Sequence, residues 1–208
     1  MKNIIESIIQ MEWDFFDKVE NEGGRAACQD NWETFSKMRR SQYMAWSEPL
    51  LKNWKADLNI AREEGRNPLT EKYGYMMCIS DPEANKETAR RLPPVSQEKK
   101  QVARCIVDRL ILQNETFRAK YPLVSGRGRP LRTLEEPAAG GTSIETYELG
   151  ELWTYSQKTL ELFEANLDEY EKGGRSYPET VVENGLKLRG FESLDQAEEY
   201  LAKREKQT

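Results

Sequence analysis

The sequence predicts an all-α protein, an antiparallel helical bundle of about four long helices with smaller helices packed on it. Two observations carry the prediction. Apolar residues recur at spacings of three and four along most of the chain, with glycine or proline between segments, and no segment alternates apolar and polar residues as a strand does. The chain has 208 residues, of which 38% are hydrophobic, which is enough to bury a core. Residues 1–208 are therefore predicted to form a single helical domain.

Five helices are predicted in the first half of the chain. They cover 2–20, a segment that starts at Asp30, a segment from Ser47 to Gly65, 70–79 and 82–91. Asp30 with Glu33 matches a capping box, in which the capping side chain accepts a hydrogen bond from the third residue of the helix. Trp32 and Met38 fall on the face of this second helix that its apolar spacing turns inward.

Four helices are predicted in the second half. They run from Ser96 to Pro122, from Thr142 to Gly173, from Ser176 and from Ser193. Thr142 with Glu145 would cap the second of these, the longest in the chain, whose apolar stripe runs from Leu149 to Tyr170. The segment 122–142 is rich in glycine, arginine and proline, and we predict it to be the longest irregular stretch.

Composition excludes several classes of protein. The 31 basic and 36 acidic residues give a net charge of -5 and are spread along the chain, so no nucleic-acid partner is expected. No apolar run is long enough to span a membrane. Acidic residues interrupt the N-terminal segment, so it lacks the continuous apolar region of a signal peptide. Cys28, Cys78 and Cys105 lack the spacing of a disulfide framework or a zinc site. We therefore expect a cytoplasmic protein with reduced thiols and no membrane partner.

The absence of histidine limits the available chemistry. Ser-His and Cys-His pairs, HExxH zinc sites and the ExxH pairs of di-iron bundles all require an imidazole. A general base would have to be a carboxylate, a tyrosine, a lysine or Cys28. The sequence requires no cofactor. A carboxylate-only Mg²⁺ or Mn²⁺ site built from Glu12, Glu145 and Glu151 stays open, although these residues show no ligand spacing.

Polar residues interrupt the apolar faces of all four long predicted helices. These residues are Glu12 in the first helix, Arg39 and Gln42 in the second, Arg109 and Gln113 in the helix from Ser96, and Tyr147, Glu151, Tyr155 and Ser156 in or beside the stripe of the longest. Since an isolated buried charge costs several kcal/mol unless it is paired, we expect Glu12 and Glu151 to meet Arg39 and Arg109. Two interpretations stay open: a salt-bridge network that only fixes helix register, or a ligand pocket between the helices.

A glycine-rich segment joins the first two predicted helices at 21–30. Gly23 and Gly24 permit unusual backbone angles just before a helix N-terminus, where backbone N–H groups and Arg25 would suit a carboxylate or a phosphate. Cys28 lies where an arginine and a helix N-terminus lower a thiol pKa, so it is our candidate nucleophile. The alternative is an ordinary Gly-Gly helix stop with a small packed cysteine.

A second glycine- and arginine-rich segment, 126–130, lies in the long loop. The guanidinium groups of Arg127 and Arg129 on such a loop suit bidentate binding of an anion. The segment lacks the lysine and the strand-loop-helix setting of a P-loop, so it gives no support for nucleotide binding of that kind. The alternative is an exposed loop whose arginines cover helix ends.

The motif Asn-Glu-Gly-Gly-Arg-Ala-x-Cys-Gln-Asp at Asn21–Asp30 resembles the signature of a bacterial family, domain of unknown function 4125. The similarity covers nearly the whole chain. It continues at Arg39, Ser41 and Gln42, at Leu69–Tyr73, at Gly126–Pro130, at Ser143 with Glu145, Thr146 and Tyr147, at Gly150 and Glu151, and at Tyr155 and Ser156. The resemblance implies that the polar helix residues and both Gly-Arg segments belong to one pattern, and it assigns no activity.

These observations predict a small helical enzyme, or enzyme-like binder, of an anionic small molecule such as a carboxylate or phosphate. Residues expected to bind the ligand are Glu12, Arg25, Gln29, Arg39, Gln42, Arg127, Arg129 and Tyr147. Residues expected to take part in catalysis are Cys28, Glu151 and Tyr155. One alternative is a non-catalytic module that docks a protein partner or another domain through exposed aromatics such as Trp13, Trp54 and Phe191. The second alternative is the carboxylate-only metal enzyme.

Overall fold

A computed structural model describes residues 1–20, 24–126 and 128–206, and within these ranges the chain is helical, without strands. The predicted all-α class is confirmed. Twelve α-helices lie in the described ranges: α1 Lys2–Phe16, α2 Trp32–Tyr43, α3 Glu48–Glu63, α4 Pro68–Ser80, α5 Lys86–Arg91, α6 Gln97–Lys120, α7 Pro122–Ser125, α8 Glu136–Ala139, α9 Ile144–Leu152, α10 Gln157–Lys172, α11 Tyr177–Lys187 and α12 Leu194–Glu205. Short 3₁₀ helices lie at Ala27–Asp30 and Thr133–Glu135.

Polar side chains fix the N-termini of most long helices. Ser96, Ser176 and Ser193 each accept a hydrogen bond from a backbone N–H three residues later, which confirms these predicted helix starts. The prediction for α2 was wrong by one residue. Asn31, not Asp30, caps this helix by accepting from the Thr34 N–H, because Asp30 is engaged by Arg25.

The longest predicted helix, 142–172, is in fact two helices. α9 begins after Ser143, not Thr142, and ends at Leu152; α10 begins after Ser156, whose hydroxyl accepts from the Thr159 N–H. The Ser156 N–H donates to Asp57 of α3, which fixes the turn between the two helices. The apolar spacing continues in phase across the turn, so periodicity alone does not show the break. Ser156 is therefore a helix cap and not a polar residue within a buried helix face.

The segment predicted to be irregular, 122–142, contains α7, one 3₁₀ helix and α8. The middle of this segment is held to the start of α9. The N–H groups of Ile144 and Glu145 donate to the carbonyls of Pro130 and Leu131, and Glu136 accepts from the backbone and the hydroxyl of Ser143. These bonds hold the backbone next to Arg129 against α9.

The core contains residues of the four helices that have 15 or more residues, namely α1, α3, α6 and α10, together with residues of α2, α4 and α9. α3 packs against α1 and α10, and α10 also contacts α6. The largest fully buried apolar side chains of the core include Ile8, Leu50, Leu51, Leu58, Ile106, Ile111, Leu149 and Phe163. Trp32 and Met38, predicted to face inward, are 40% and 48% exposed, because Trp32 packs on the half-buried ring of Trp13 and Met38 lines an open cleft. Within the described ranges, no helix has both the length and the apolar character that a membrane crossing needs.

Gly150 allows α9 to lie directly on α4. A Cβ atom at this position would lie 2.5 Å from Met76 Cγ and 3.0 Å from the carbonyl oxygen of Lys72. Glu151 follows Gly150 in the chain and bonds to the side chain of Lys72. The close approach of the two helices thus positions this ion pair.

Gly150→Ala is expected to lower the free energy of unfolding by about 1–3 kcal/mol, because the added methyl group must push α9 away from α4. Urea denaturation measures the change. Gly141→Ala is the matched control, since a Cβ atom there meets nothing within 4 Å. Equal stability of the two variants would contradict the close packing at Gly150.

Candidate functional site

Arg39 lies at the centre of a buried ion network. Its Nε donates to Glu12 Oε2 at 2.6 Å and its Nη2 donates to the other oxygen of the same carboxylate. Its Nη1 donates to both carboxylate oxygens of Glu151, at 3.1 and 3.2 Å. The side chains of Arg39, Glu12 and Glu151 are 6%, 0% and 4% exposed. The two glutamates thus meet Arg39, as the sequence predicts.

The second cation of the network is Lys72 on α4, which sequence analysis did not single out. Its ammonium group bonds to Glu151 Oε2, and its side chain is 3% exposed. Arg109, expected in this role, instead lies near the surface and pairs with Asp168 and Glu171. With two cations and two carboxylates the network is neutral, which is the condition for burying so many charges.

Neutral side chains complete the hydrogen bonding of both carboxylates. Glu12 accepts from the Tyr43 hydroxyl at 2.5 Å and from Trp54 Nε1 at 3.1 Å. Glu151 accepts from Gln42 Nε2 at 3.1 Å and from the Tyr155 hydroxyl at 2.9 Å. The network therefore joins α1, α2, α3, α4, α9 and the turn before α10 through satisfied polar contacts.

Electrostatics fix the protonation states within the network. Burial alone would raise the pKa of Glu151, but the charges of Arg39 and Lys72 outweigh it and hold that pKa well below its ordinary value. Burial raises the pKa values of the Tyr43 and Tyr155 hydroxyls well above their ordinary value. At neutral pH Glu151 is thus an ionised acceptor and Tyr155 a neutral donor.

A cleft of about 440 Å³ opens beside the network, between α2, α6, α9 and α11. Four of the predicted ligand-binding residues line it: Arg39, Gln42, Arg129 and Tyr147. Apolar side chains from all four helices complete the walls: Met38, Leu110, Ile144, Val181 and Val182. This volume is within the range of small-molecule sites.

Arg129 supplies the accessible cation of the cleft. Its guanidinium carbon lies 4.9 Å from the centre of the Tyr147 ring, and its Nη1 donates to the Thr142 carbonyl at 3.2 Å. Lys72 Nζ lies 3.4 Å from the same ring centre. Within the described residues no carboxylate pairs with Arg129, so its remaining N–H groups are available to an anion.

Glu148, on the cleft wall, is a functional candidate that sequence analysis missed. Its half-buried carboxyl group makes no hydrogen bond or ion pair with any other described residue. Burial, helped by the charge of Glu151, raises the pKa of Glu148 to about 7, although Lys72 and Arg39 act in the opposite direction. Such a group exchanges protons near neutral pH, which is the requirement for general acid–base chemistry. The available signal was its position one turn before Glu151, on the same side of the helix.

The described part of the first glycine-rich segment, residues 24–30, is stabilised by contacts within itself and with the chain just after α1, and it does not line the cleft. Arg25 pairs with Asp17 and Asp30. The buried amide of Gln29 donates to the carbonyls of Phe16 and Val19 and accepts from the backbone N–H of residue 26. Asn21, Glu22, Gly23 and Arg127 lie outside the described residues. Arg25 and Gln29 thus close the connection after α1, and the cleft walls come from other parts of the chain.

Cys28 is exposed, and its thiol makes no hydrogen bond within the described part of the chain. Neither Glu151 nor Tyr155, the other two predicted catalytic residues, bonds to it. Among residues 1–20, 24–126 and 128–206, no base bonds to the thiol and no bond links it to the network.

Glu145 and Trp54, one residue from each of the two alternative functions, do not lie where those alternatives require them. Glu145 bonds to Arg104 and to the Thr133 N–H, away from Glu12 and Glu151. In the ranges that the structure describes, no group of three metal-ligating side chains forms. Trp54, expected to be exposed in a docking patch, is 2% exposed and belongs to the core.

The geometry defines an all-helical protein with a small-molecule-sized cleft beside a neutral, buried ion network. A family model described as "Protein of unknown function (DUF4125)" matches residues 2–199, and the chain belongs to this family. The match confirms the family resemblance predicted from the motifs. No curated protein and no solved structure matches the chain.

Proposed function

We propose that the protein binds a small molecule with an anionic group in the cleft between α2, α6, α9 and α11. The observation that carries the proposal is the pair of unpartnered groups in its wall. Arg129 has no carboxylate partner and Glu148 has no polar partner among the described residues. The carboxyl group of Glu148 is half-buried, and such groups are normally paired within a protein. The exposed guanidinium of Arg129 makes one hydrogen bond to a carbonyl and keeps other N–H groups for an anion, so one ligand is the natural partner for both residues.

The walls of the cleft constrain how the ligand lies. Its anionic group lies on Arg129, where the planar guanidinium gives two parallel N–H donors. Glu148, when protonated, donates to a second oxygen of the ligand, and Ile144 and Val181 cover the apolar part. The buried ion network holds these walls in place, because Arg39 and Gln42 belong both to the network and to the cleft wall.

Proton transfer in this cleft is assigned to Glu148 and not to Cys28. The carboxyl group of Glu148 faces the ligand volume and titrates near neutral pH. Glu151 and Tyr155 are positioning residues, since both are already bonded within the network. Any reaction on the ligand would therefore use one carboxyl group as acid or base beside a fixed cation.

A thermal-shift screen with hexanoate, inorganic phosphate and small phosphate esters tests the proposal. A ligand at 100 times its dissociation constant adds about 2.7 kcal/mol, roughly 5–10 °C in melting temperature for a domain of this size. Arg129→Ala is expected to weaken the best ligand about tenfold or more, because a charge-assisted hydrogen bond is lost.

Arg132→Ala is the matched control. Arg132 lies in the same loop, is similarly exposed and pairs with Glu115 at 3.0 Å, but does not line the cleft. Its removal should leave ligand affinity unchanged. The proposal is wrong if no anion raises the melting temperature, or if both variants lower affinity equally.

A further inference from the structure

A second groove, of about 690 Å³, continues from the cleft along α11. The cleft and the groove have four wall residues in common: Met38, Ser41, Val181 and Val182. Beyond them the groove is lined mainly by Leu186, Phe191, Tyr200 and Leu201. The two volumes therefore form one continuous channel, with Arg129 and Glu148 near one end.

Three polar side chains along this channel bond to nearby backbone carbonyls of α2, α6 and α11. The Ser41 hydroxyl donates to the Met38 carbonyl at 2.7 Å, and Arg189 Nη1 donates to the Gly185 carbonyl at 3.1 Å. On the cleft side, Asn114 Nδ2 donates to the Leu110 carbonyl at 2.8 Å. The surface left for a ligand is consequently apolar over most of its length.

Part of this apolar surface faces solvent. Met38, at the junction of cleft and groove, is 48% exposed, and Tyr200 at the far end is 47% exposed. Methionine is an adaptable side chain that is common on surfaces binding flexible apolar ligands. A ligand lying in the channel would cover both residues.

The length of the channel points to a particular class of ligand. α11 has 11 residues and so extends about 16 Å. One acyl chain fills about half of the ~30 Å hydrocarbon core of a bilayer, or ~15 Å. A single alkyl chain would therefore extend along most of α11.

We propose that the ligand is a long-chain carboxylate, with its head group on Arg129 beside Glu148 and its alkyl chain along α11. The inference rests on the proposed function and specifies its ligand. Charge complementarity selects the anionic head group at the Arg129 end. The apolar walls beyond Met38 select an unbranched hydrocarbon chain over a compact metabolite.

Isothermal titration with hexanoate, decanoate and tetradecanoate, each below its micelle concentration, tests the inference. Each methylene group fully removed from water multiplies affinity by up to about fourfold, so tetradecanoate is expected to bind at least about tenfold more tightly than hexanoate. One molecule should bind per chain. Tetradecyltrimethylammonium, with the same chain and a cationic head group, should bind more weakly.

Variants of two similarly exposed methionines locate the alkyl chain. Met38→Gln, in the wall shared by the cleft and the groove, is expected to weaken tetradecanoate binding more than hexanoate binding. Met44→Gln is the matched control, because Met44 at the end of α2 is 47% exposed and lines neither volume. Arg189→Ala tests the opposite orientation of the ligand, with its head group at the far end of the groove. If binding is lost in Arg189→Ala and kept in Arg129→Ala, the assigned head-group position is wrong.

The outcomes separate this inference from the proposed function. If hexanoate or a phosphate ester binds through Arg129 but affinity does not grow with chain length, the long-chain inference is wrong and the proposed function stands. If no anion of any length binds, both are wrong. If the cationic amphiphile binds equally tightly, or Met44→Gln has the same effect as Met38→Gln, the channel is a nonspecific apolar surface and the inference is wrong.

Discussion

Replacement of Arg39 by methionine is expected to lower the free energy of unfolding by about 3–5 kcal/mol, since removal of one partner leaves buried charge uncompensated. Methionine keeps much of the side-chain volume. The loss of stability therefore comes from the missing charge and hydrogen bonds more than from a cavity. Glu12 would lose the one cation that pairs with it in the described part of the chain, whereas Glu151 would keep Lys72. Urea unfolding followed by far-UV circular dichroism measures the change.

Arg109→Met is the matched control for this experiment. Arg109 also contacts two carboxylates, but these are about half exposed, and such pairs contribute about 0–1 kcal/mol. A second Glu12→Gln substitution in the Arg39→Met background should recover part of the loss, because it removes the unpaired charge. A loss in Arg39→Met as small as that in Arg109→Met would show that the network contributes little to stability.

The second large effect is expected from Glu148→Gln, and it depends on pH. The pKa of Glu148 is raised in the folded protein from 4.5 to about 7, so the folded state binds a proton more tightly than the unfolded chain. The resulting stability is present below about pH 4.5 and is lost as pH rises through about 7. Glutamine cannot ionise, so the variant should gain stability relative to wild type between pH 5 and 8, by at most about 3 kcal/mol.

The charges around Glu148 decide the size of this effect. Lys72 and Arg39 favour its ionised form, whereas Glu151 on the same helix opposes it. Arg129 and the neutral Tyr177 hydroxyl line the same cleft. Unfolding curves at several pH values, at low salt, measure the difference between variant and wild type.

Glu145→Gln on the same helix is the control, and it should behave differently. Burial alone would raise the pKa of Glu145, but hydrogen bonds from the Thr133 backbone and Arg104 outweigh it and lower that pKa. Its stabilising contribution is lost only as pH falls below about 4.5, so the stability difference should stay constant between pH 6 and 8. A Glu148→Gln difference that is equally constant would show that Glu148 is ionised throughout that range.

The buried ion pairs could be predicted because their residues break an apolar pattern. Glu12 and Arg39 lie on helix faces that otherwise bury apolar side chains, and burial forces such charges to pair. Arg109 shows the limit of this reasoning. Its helix position is close to buried residues, but a long arginine side chain can extend to the surface and pair there.

Lys72 and Glu148 could not be found in this way, for different physical reasons. Lys72 is on a helix buried on several sides, so its position interrupts no single apolar stripe. Glu148 interrupts no apolar stripe of α9 in the sequence, and the packing of α2, α6 and α11 encloses it. The break between α9 and α10 was missed because the helical period continues across the turn.

The order in which the chain is synthesised gives the buried network a further consequence. Glu12, Arg39 and Lys72 leave the ribosome first, so the nascent N-terminal half carries two cations for one carboxylate at the future centre of the fold. Glu151 follows 79 residues after Lys72 and supplies the missing negative charge. Domains generally fold as units once their chain is available, and here α1, α2 and α4 cannot reach a neutral interior until α9 has emerged.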